Sequence, residues 1–339
     1  MRAATWHGDS RFTIDDLPEP TPGPGQALVA VHTAGICGSD VHAIQGLFPL
    51  TPPRVMGHEY SGTVLAVGKG VSRGLVGRAV ACEPNYGCGV CDDCRAGRVS
   101  QCAQCVRVGG FAERVALPRH CLHPLPEGLD LTTAALAEPA SCCLEGLEMA
   151  RIRKGASVVV IGGGIMGLLT LALAKAKGAA LAILSDPLAS RRDAARRLGA
   201  DVTVDPTTED LAGVVDKATG GHGVDIACEA VGKPALVASA ARLAKARGVV
   251  QLVGVSPKGS TLPSDLFDFH FKELTLTGAY GRGTSFRRVL PLLNEIGGAG
   301  LVTDHYPLER IADGFAHAAA GGGLKTAITP GTASPRSHA

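Results

Sequence analysis

The sequence predicts an α/β protein of two domains, one β-rich and one built on a doubly wound parallel sheet. Three observations predict it. At 339 residues the chain is long for a single core. From residue 1 to about 141, short apolar or alternating runs (QALVAVHTAGIC, YSGTVLAVGKGV, GRAVACEP) are cut by glycine and proline, the texture of strands and turns. From about residue 156 onward, strand-like and helix-like runs alternate, which places helices on both faces of a parallel sheet.

Within the second domain, residues 142–280, the strand SVVVIG leads into the helix IMGLLTLALAKAKG, and LAILSD, PLASRRDAARRLGA and DVTVD follow. GVDIACEAVG, a helix over PALVASAARLAKARG, the strand VVQLVGV and a last strand in ELTLTGAYG complete it. Residues 281–330 add helix and return the chain to the first domain, which therefore comprises 1–141 and 281–330. The polar end TPGTASPRSHA predicts a frayed tail over 331–339. The uncharged stretch 156–174 is long enough to span a membrane. Three successive glycines interrupt it and Lys175 and Lys177 close it, so it reads as a buried strand turning into a buried helix.

The composition is 45% hydrophobic, 19% charged and 4% aromatic, with 45 glycines, which is that of a soluble protein rich in turns. With 33 basic and 31 acidic side chains, a net charge of +2 and no like-charge blocks, nothing marks a nucleic-acid or membrane-surface binder. The N-terminal MRAATWHGDSRF lacks the apolar core of a secretory signal, so a cytoplasmic setting is expected. There the eleven cysteines serve as thiols or metal ligands rather than disulfides.

Gly162-Gly163-Gly164-Ile165-Met166-Gly167 matches G-x-G-x-x-G, follows the strand SVVVI and opens a helix. Asp186 ends the next strand, nineteen residues beyond Gly167. In that setting Gly162 permits the tight turn, and Gly164 lets the backbone approach a pyrophosphate held at the helix N-terminus. Gly167 allows close packing of helix on strand. Asp186 can accept hydrogen bonds from both hydroxyls of an adenosine ribose and would repel a 2′-phosphate, so NAD is favoured over NADP. Arg191, five residues on, keeps NADP as the lesser alternative.

The window GCGVCDDCRAGRVSQC holds Cys88, Cys91, Cys94 and Cys102 at the spacing C-x2-C-x2-C-x7-C. Four thiolates so spaced can wrap a tetrahedral zinc ion and leave no open position, so this site is structural. A redox role for the CxxC pairs lacks a thioredoxin-like context. Elsewhere lie Cys37 in GICGSDVH, His58 and Glu59 in MGHEYSG, and Glu138 in ALAEPAS. Cysteine, histidine and glutamate are the donors of a catalytic zinc that keeps an exchangeable fourth position.

GICGSDVH, GHEYSG, the four-cysteine lobe, AEPAS and GGGIMG occur in an order that resembles the medium-chain dehydrogenase/reductase superfamily over about residues 1–330. Among its zinc-dependent alcohol dehydrogenases, the glutamate at position 138 is similar to the polyol, sorbitol-type branch. The resemblance implies a GroES-like catalytic domain flanking an inserted Rossmann domain, with the active site in the cleft between them. It further implies that Cys37, His58 and Glu59 bind the catalytic zinc, and that Glu138 hydrogen-bonds a zinc water or replaces Glu59. Ser39 and His42 correspond to the family's proton relay, and Val253, Ala279 and Tyr280 join the cofactor contacts. The implied chemistry is hydride transfer from a secondary alcohol to nicotinamide, assisted by zinc as Lewis acid, with the proton leaving through Ser39 and His42. Two zinc ions per chain and a homodimer or homotetramer follow from the same resemblance.

Three departures bear on the substrate. Ala43 follows His42 where polyol dehydrogenases tend to carry a large aromatic. Only AQCVRV separates Cys102 from the GGFAE motif, a short connection for this family. Gly281 stands where sorbitol-type enzymes tend to place a substrate-facing arginine, with Arg282 one step displaced. Each change removes bulk or shifts a polar clamp, so the expected substrate is larger than a short linear polyol: a cyclitol or a sugar or amino-sugar ring. The texture also resembles dehydrogenases of actinobacterial aminoglycoside pathways. A short linear polyol or amino alcohol, such as sorbitol or threonine, is the alternative. A non-catalytic relative of the fold would have no need of the full Cys37/His58/Glu59/Glu138 set with Ser39, and the two zinc motifs argue against a zinc-independent quinone reductase.

Overall fold

The computed structural model describes residues 1–47, 50–281 and 284–331. The chain divides into two compact units: residues 1–138, 286–294 and the chain from Gly298 form the first, and Pro139–Ser285 with Glu295–Gly297 the second. Arg282 and residues 332–339 of the expected tail lie outside the described residues.

The strands in chain order are β1 (Arg2–Trp6), β2 (Phe12–Asp16), β3 (Gln26–Gly35), β4 (Arg54–Val55), β5 (Glu59–Val67), β6 (Ala79–Cys82), β7 (Asn85–Tyr86), β8 (Val106–Arg107), β9 (Arg114–Pro118) and β10 (Leu122–Pro124). In the second unit follow β11 (Ser157–Ile161), β12 (Leu181–Ser185), β13 (Val202–Val204), β14 (Val224–Glu229), β15 (Ala244–Leu252) and β16 (Thr275–Gly278), and β17 (Asp304–Pro307) and β18 (Thr326–Thr329) belong again to the first.

The main sheet of the first unit runs β10-β6-β5-β3-β18-β17, with β9 also paired to β3. Its pairings are antiparallel except β17 with β18. β3 lies between neighbours, and its run Ala27–Val31 is wholly buried, which is why it reads as continuous apolar sequence rather than strict alternation. The core collects Trp6, Tyr60, Phe111, Leu117, Leu122 and Phe315. Phe111 and Phe315 meet edge to face at 5.8 Å, a favoured aromatic geometry. What matters for the site is that β3 and β18 bring residues from the two ends of this unit side by side: Gly35 is opposite both Glu59 and Ala327.

The sheet of the second unit is parallel throughout, in the order β13-β12-β11-β14-β15-β16. Numbered within the unit that order is 3-2-1-4-5-6, and its reversal between β11 and β14 is where such sheets bind ligands. The stretch 156–174 resolves into β11 and the helix Ile165–Ala176, and no helix among the described residues is long and apolar enough to cross a membrane. The expected α/β class, a β-rich unit beside a doubly wound parallel sheet, holds. One element differs. The helix expected over PALVASAARLAKARG ends at Leu243, and β15 already begins at Ala244. Arg247 takes a positive φ of 62°, incompatible with a helix, and Lys245 is drawn into an ion pair with Asp225 of β14 at 2.6 Å. Tertiary pairing overrides the helix-forming composition of AKARG.

Candidate active site and metal centres

Cys37 ends the chain's exit from β3 and caps the helix Gly38–Ile44 in an extended conformation. Its backbone N–H donates to Asp40 Oδ2 at 3.2 Å. Asp40 is buried and places Oδ1 3.3 Å from His58 Nδ1. That contact fixes the ring and leaves Nε2 as the donor nitrogen, the usual arrangement of a metal-ligating histidine. His58 and Glu59 lead into β5, both buried. Ligand atoms of Cys37, His58 and Glu59 all lie within 4.8 Å of one another. A tetrahedral zinc with bonds of about 2.0–2.3 Å holds its donors roughly 3.3–3.8 Å apart, within the span of this set. Burial lowers the His58 pKa, but the charges of Asp40 and Cys37 outweigh it and raise the imidazole well above its ordinary value. A buried site holding this much negative charge suits a cation.

Three residues of this site escaped the sequence reading: Lys325, Gly35 and Asp40. Lys325, just before β18, is 4% exposed, and its ammonium pairs with Glu59 Oε2. Burial lowers the Lys325 pKa, while Glu59, Cys37 and Asp40 raise it, with the net direction upward. Gly35 explains how the pair fits. A Cβ there would collide with the Glu59 carboxylate and come within 2.8 Å of Lys325 Cε. Glu59 Oε1 is buried without a hydrogen-bond partner among the described residues, an orphaned acceptor aimed for a cation to satisfy. Nothing local in the sequence marks Lys325 as buried. Asp40 was visible within GICGSDVH, three residues from Cys37, but its partner was not.

Ser39 and His42 are three apart on the helix Gly38–Ile44, hence neighbours on one face, and both are half-buried. Ala43, on the same helix, is buried. Glu138 is half-buried in the helix Ala137–Met149 and stands outside the mutually close Cys37/His58/Glu59 set.

The second donor set is Cys88, Cys91, Cys94 and Cys102, whose sulfurs again lie within 4.8 Å of one another. Cys91 Sγ accepts from the Cys94 N–H at 3.4 Å, and Cys102 Sγ from the Gln104 N–H at 3.4 Å. The N–H groups of Val90 and Cys91 pull the Cys88 thiol down to about 6, toward the thiolate form that binds metal. Cys94, despite a bond to the Gly89 backbone, is pushed up to about 12 by desolvation and its neighbouring thiols. A four-sulfur cage of this size fits zinc with no open position. The AQCVRV link leaves the lobe through β8, which pairs with β7.

In the second unit Gly162 has φ of 105°, a left-handed turn that glycine alone adopts freely. A Cβ on Gly167 would strike the Gly162 carbonyl oxygen, whereas one on Gly164 would meet nothing within 4 Å, so that side of the loop faces open space. Ile165 and Met166 start the helix. Gly162, Gly164, Asp186 and Arg191 line a cavity of about 750 Å³, shared with Lys233, Glu209 and Arg242. Asp186 is held rigidly: Oδ2 accepts from Gly163 N–H at 2.7 Å, Oδ1 from Leu188 N–H at 2.8 Å, and Arg191 lies 3.5 Å away. Val253 and Ala279, both half-buried, and the exposed Tyr280 follow the C-terminal ends of β15 and β16, at the same edge of the parallel sheet as the glycine loop. Gly281 has φ of 88°.

Comparison with known proteins agrees with this architecture. Residues 23–127 match the family Alcohol dehydrogenase GroES-like domain, and residues 166–295 the family Zinc-binding dehydrogenase. A sorbitol dehydrogenase of Halalkalibacterium halodurans is 32% identical over 340 residues, covering 96% of this chain and 98% of that protein. An L-threonine 3-dehydrogenase of Pyrococcus horikoshii is 35% identical over 296 residues, covering 83% and 82%. A candidate zinc-binding dehydrogenase from Sinorhizobium meliloti 1021, solved with NADP, superposes with a TM-score of 0.89 at 36% identity, covering 97% of this chain and 99% of that one. The chain belongs to the zinc-dependent alcohol dehydrogenases of the medium-chain dehydrogenase/reductase superfamily. Within them it falls in the polyol, sorbitol dehydrogenase-like branch.

Proposed function

We propose that this alcohol dehydrogenase oxidises a secondary alcohol of a polyol, cyclitol or sugar or amino-sugar ring to the ketone, with NAD as hydride acceptor. One zinc is held by Cys37, His58 and Glu59, with Glu138 as the alternative ligand to Glu59, and a second by Cys88, Cys91, Cys94 and Cys102. The observation that carries the reading is the convergence of half-buried Cys37 with buried His58 and Glu59, whose Oε1 has no hydrogen-bond partner among the described residues. Bound there, zinc supplies a Lewis acid that acidifies the substrate hydroxyl, and nicotinamide supplies the hydride acceptor. Ser39 receives the hydroxyl proton and His42, one helical turn on, passes it toward solvent. Asp40 holds the His58 ring in place throughout.

NAD is favoured because the buried Asp186 carboxylate lines the cavity beside the glycine loop, where it would repel a 2′-phosphate. The NADP carried by the Sinorhizobium protein and the cation Arg191 beside Asp186 support the second cofactor reading. A ring substrate is favoured by the small Gly281 and by the short link to β8. Ala43, expected to open the pocket, is instead buried in the core of the first unit and gives the ring reading no support. The sorbitol and threonine activities of the relatives support a linear polyol or amino alcohol instead. The test is reduction of NAD and of NADP against sorbitol, xylitol, threonine, cyclitols and amino-sugar rings. Turnover of sorbitol far above every cyclic substrate overturns the ring reading. Replacing Cys37 with Ser is expected to lower kcat about 10²–10³-fold, as loss of an electrostatic catalyst does, while the chain stays folded. Unchanged turnover would refute the metal assignment.

A second copy of the chain is the proposed macromolecular partner. β16 is an edge strand with exposed side chains, and Leu266, Phe267 and Phe271 of the neighbouring helix are more than half exposed. A reducing, cytoplasmic compartment belongs to the same reading, with five of the eleven cysteines serving as metal ligands rather than disulfides.

A further inference from the structure

Lys325 is the one lysine or arginine buried among the described residues, and burying an ammonium is costly unless it is closely paired. Its partner is a residue assigned to the metal. The side chains of Lys325 and Glu59 are 3% and 1% exposed, and the ion pair is made through Oε2. Neither carboxylate oxygen has a hydrogen bond among the described residues, and Oε1 lacks the ion pair as well. The pair is built in, since Gly35 opposite Glu59 in the register has no Cβ, where one would collide with both side chains. The charges also add up. Cys37 as thiolate, Asp40 and Glu59 contribute three negative charges and Lys325 one positive, so a divalent cation brings the buried set to neutrality with His58 uncharged. Without Lys325, the same cation would face three anions and an additional free carboxylate oxygen.

We infer that Lys325 is a positioning residue for the metal centre: it occupies Oε2 of Glu59, leaves Oε1 as that residue's single donor, and keeps the bound cation less neutralised and therefore more electrophilic. This rests on the zinc reading of Cys37, His58 and Glu59 above. Its consequence runs against ordinary expectation for a buried salt bridge. Removing the lysine should tighten the hold on zinc, because a positive charge that opposes a dication is gone and the carboxylate can close on the metal with both oxygens.

The experiment follows zinc release from the full-length zinc-loaded protein into excess chromogenic chelator, alongside thermal unfolding. The phase absent from Cys37→Ser belongs to this site. Lys325→Met is expected to slow that phase tenfold or more, while Lys325→Arg, which keeps the charge, stays near wild type. Tenfold corresponds to only about 1.4 kcal/mol, small beside the repulsion between a monovalent and a divalent cation a few ångström apart. Release that is unchanged or faster in a cooperatively unfolding Lys325→Met protein overturns the proposal, since that is what a merely structural lysine would give. If Lys325→Met fails to fold, Glu59→Gln is compared with Glu59→Gln/Lys325→Met: slower release from the double variant supports the charge effect, and equal or faster release overturns it. A wild-type protein with no Cys37-dependent phase would instead remove the metal centre itself, a failure distinct from that of Lys325.

Discussion

Gly35 carries the sharpest demand at the scale of single residues. Its neighbours across the sheet are Glu59 and, beside it, Lys325, and the absent Cβ is the space their pairing occupies. Gly35→Ala is expected to force the carboxylate off its position, at a cost of about 1–3 kcal/mol for overpacking. Zinc analysis should then find the Cys37-dependent ion depleted while the four-cysteine ion is retained. Full zinc content with unchanged turnover would show that the pair tolerates displacement. The candidate donors Cys37, His58 and Glu59, which the structure brings within 4.8 Å of one another, were legible because their residue types carry their chemistry. Lys325 was not, because a lysine flanking a strand reads as a solvated end, and only the antiparallel register reveals what it meets.

At the scale of elements, Asp225 ties the parallel sheet together. Its Oδ2 accepts from the N–H and hydroxyl of Ser157 at 2.8 and 2.7 Å, and its Oδ1 meets Lys245 at 2.6 Å, so β14 is joined to both β11 and β15. Burial raises its pKa, but the bonds from Lys245 and Ser157 prevail and lower it. A carboxylate lowered on folding contributes stability that is complete above the unfolded value, about 3.9, and is lost as pH falls through the lower folded value. Asp225→Ala is expected to cost about 1–3 kcal/mol near neutrality, and the gap to wild type in chemical denaturation should narrow below about pH 4. A constant gap across that range would show that the carboxylate's charge is not what stabilises the sheet. The four-cysteine lobe is a separate element. Cys94→Ser is expected to release about one zinc per chain and lower the unfolding temperature without removing the Cys37-dependent ion, and loss of both ions together would show that the two sites are not independent. The elements of the second unit were largely legible from alternation. The end of the helix Pro234–Leu243 was not, because AKARG has helical composition and only pairing with β14 and the positive φ of Arg247 turn it into strand.

At the scale of the whole molecule, β16 leaves one side of its ladder unpaired among the described residues, and exposed edges of this kind are templates for another chain. Phe267 and Phe271 stack at 4.1 Å on the adjoining helix yet remain exposed, an apolar surface that a second copy would cover. Sedimentation velocity is expected to show a dimer or tetramer, and Phe267→Asp/Phe271→Asp to shift it toward monomer with secondary structure retained. A monomeric wild-type chain at micromolar concentration would remove this partner.

The features that the sequence determined by itself are those encoded locally. The glycine cradle with its acidic residue lies within one strand–helix–strand unit, and the four-thiol cage within one short loop, so spacing alone is enough to read them. The tertiary structure alone decided which distant charges meet. Hydrophobic periodicity specifies which face of a strand is buried, but not which buried carboxylate a lysine from the other end of the unit will reach. That depends on sheet order and register, through which Gly35, Glu59 and Lys325 become one site.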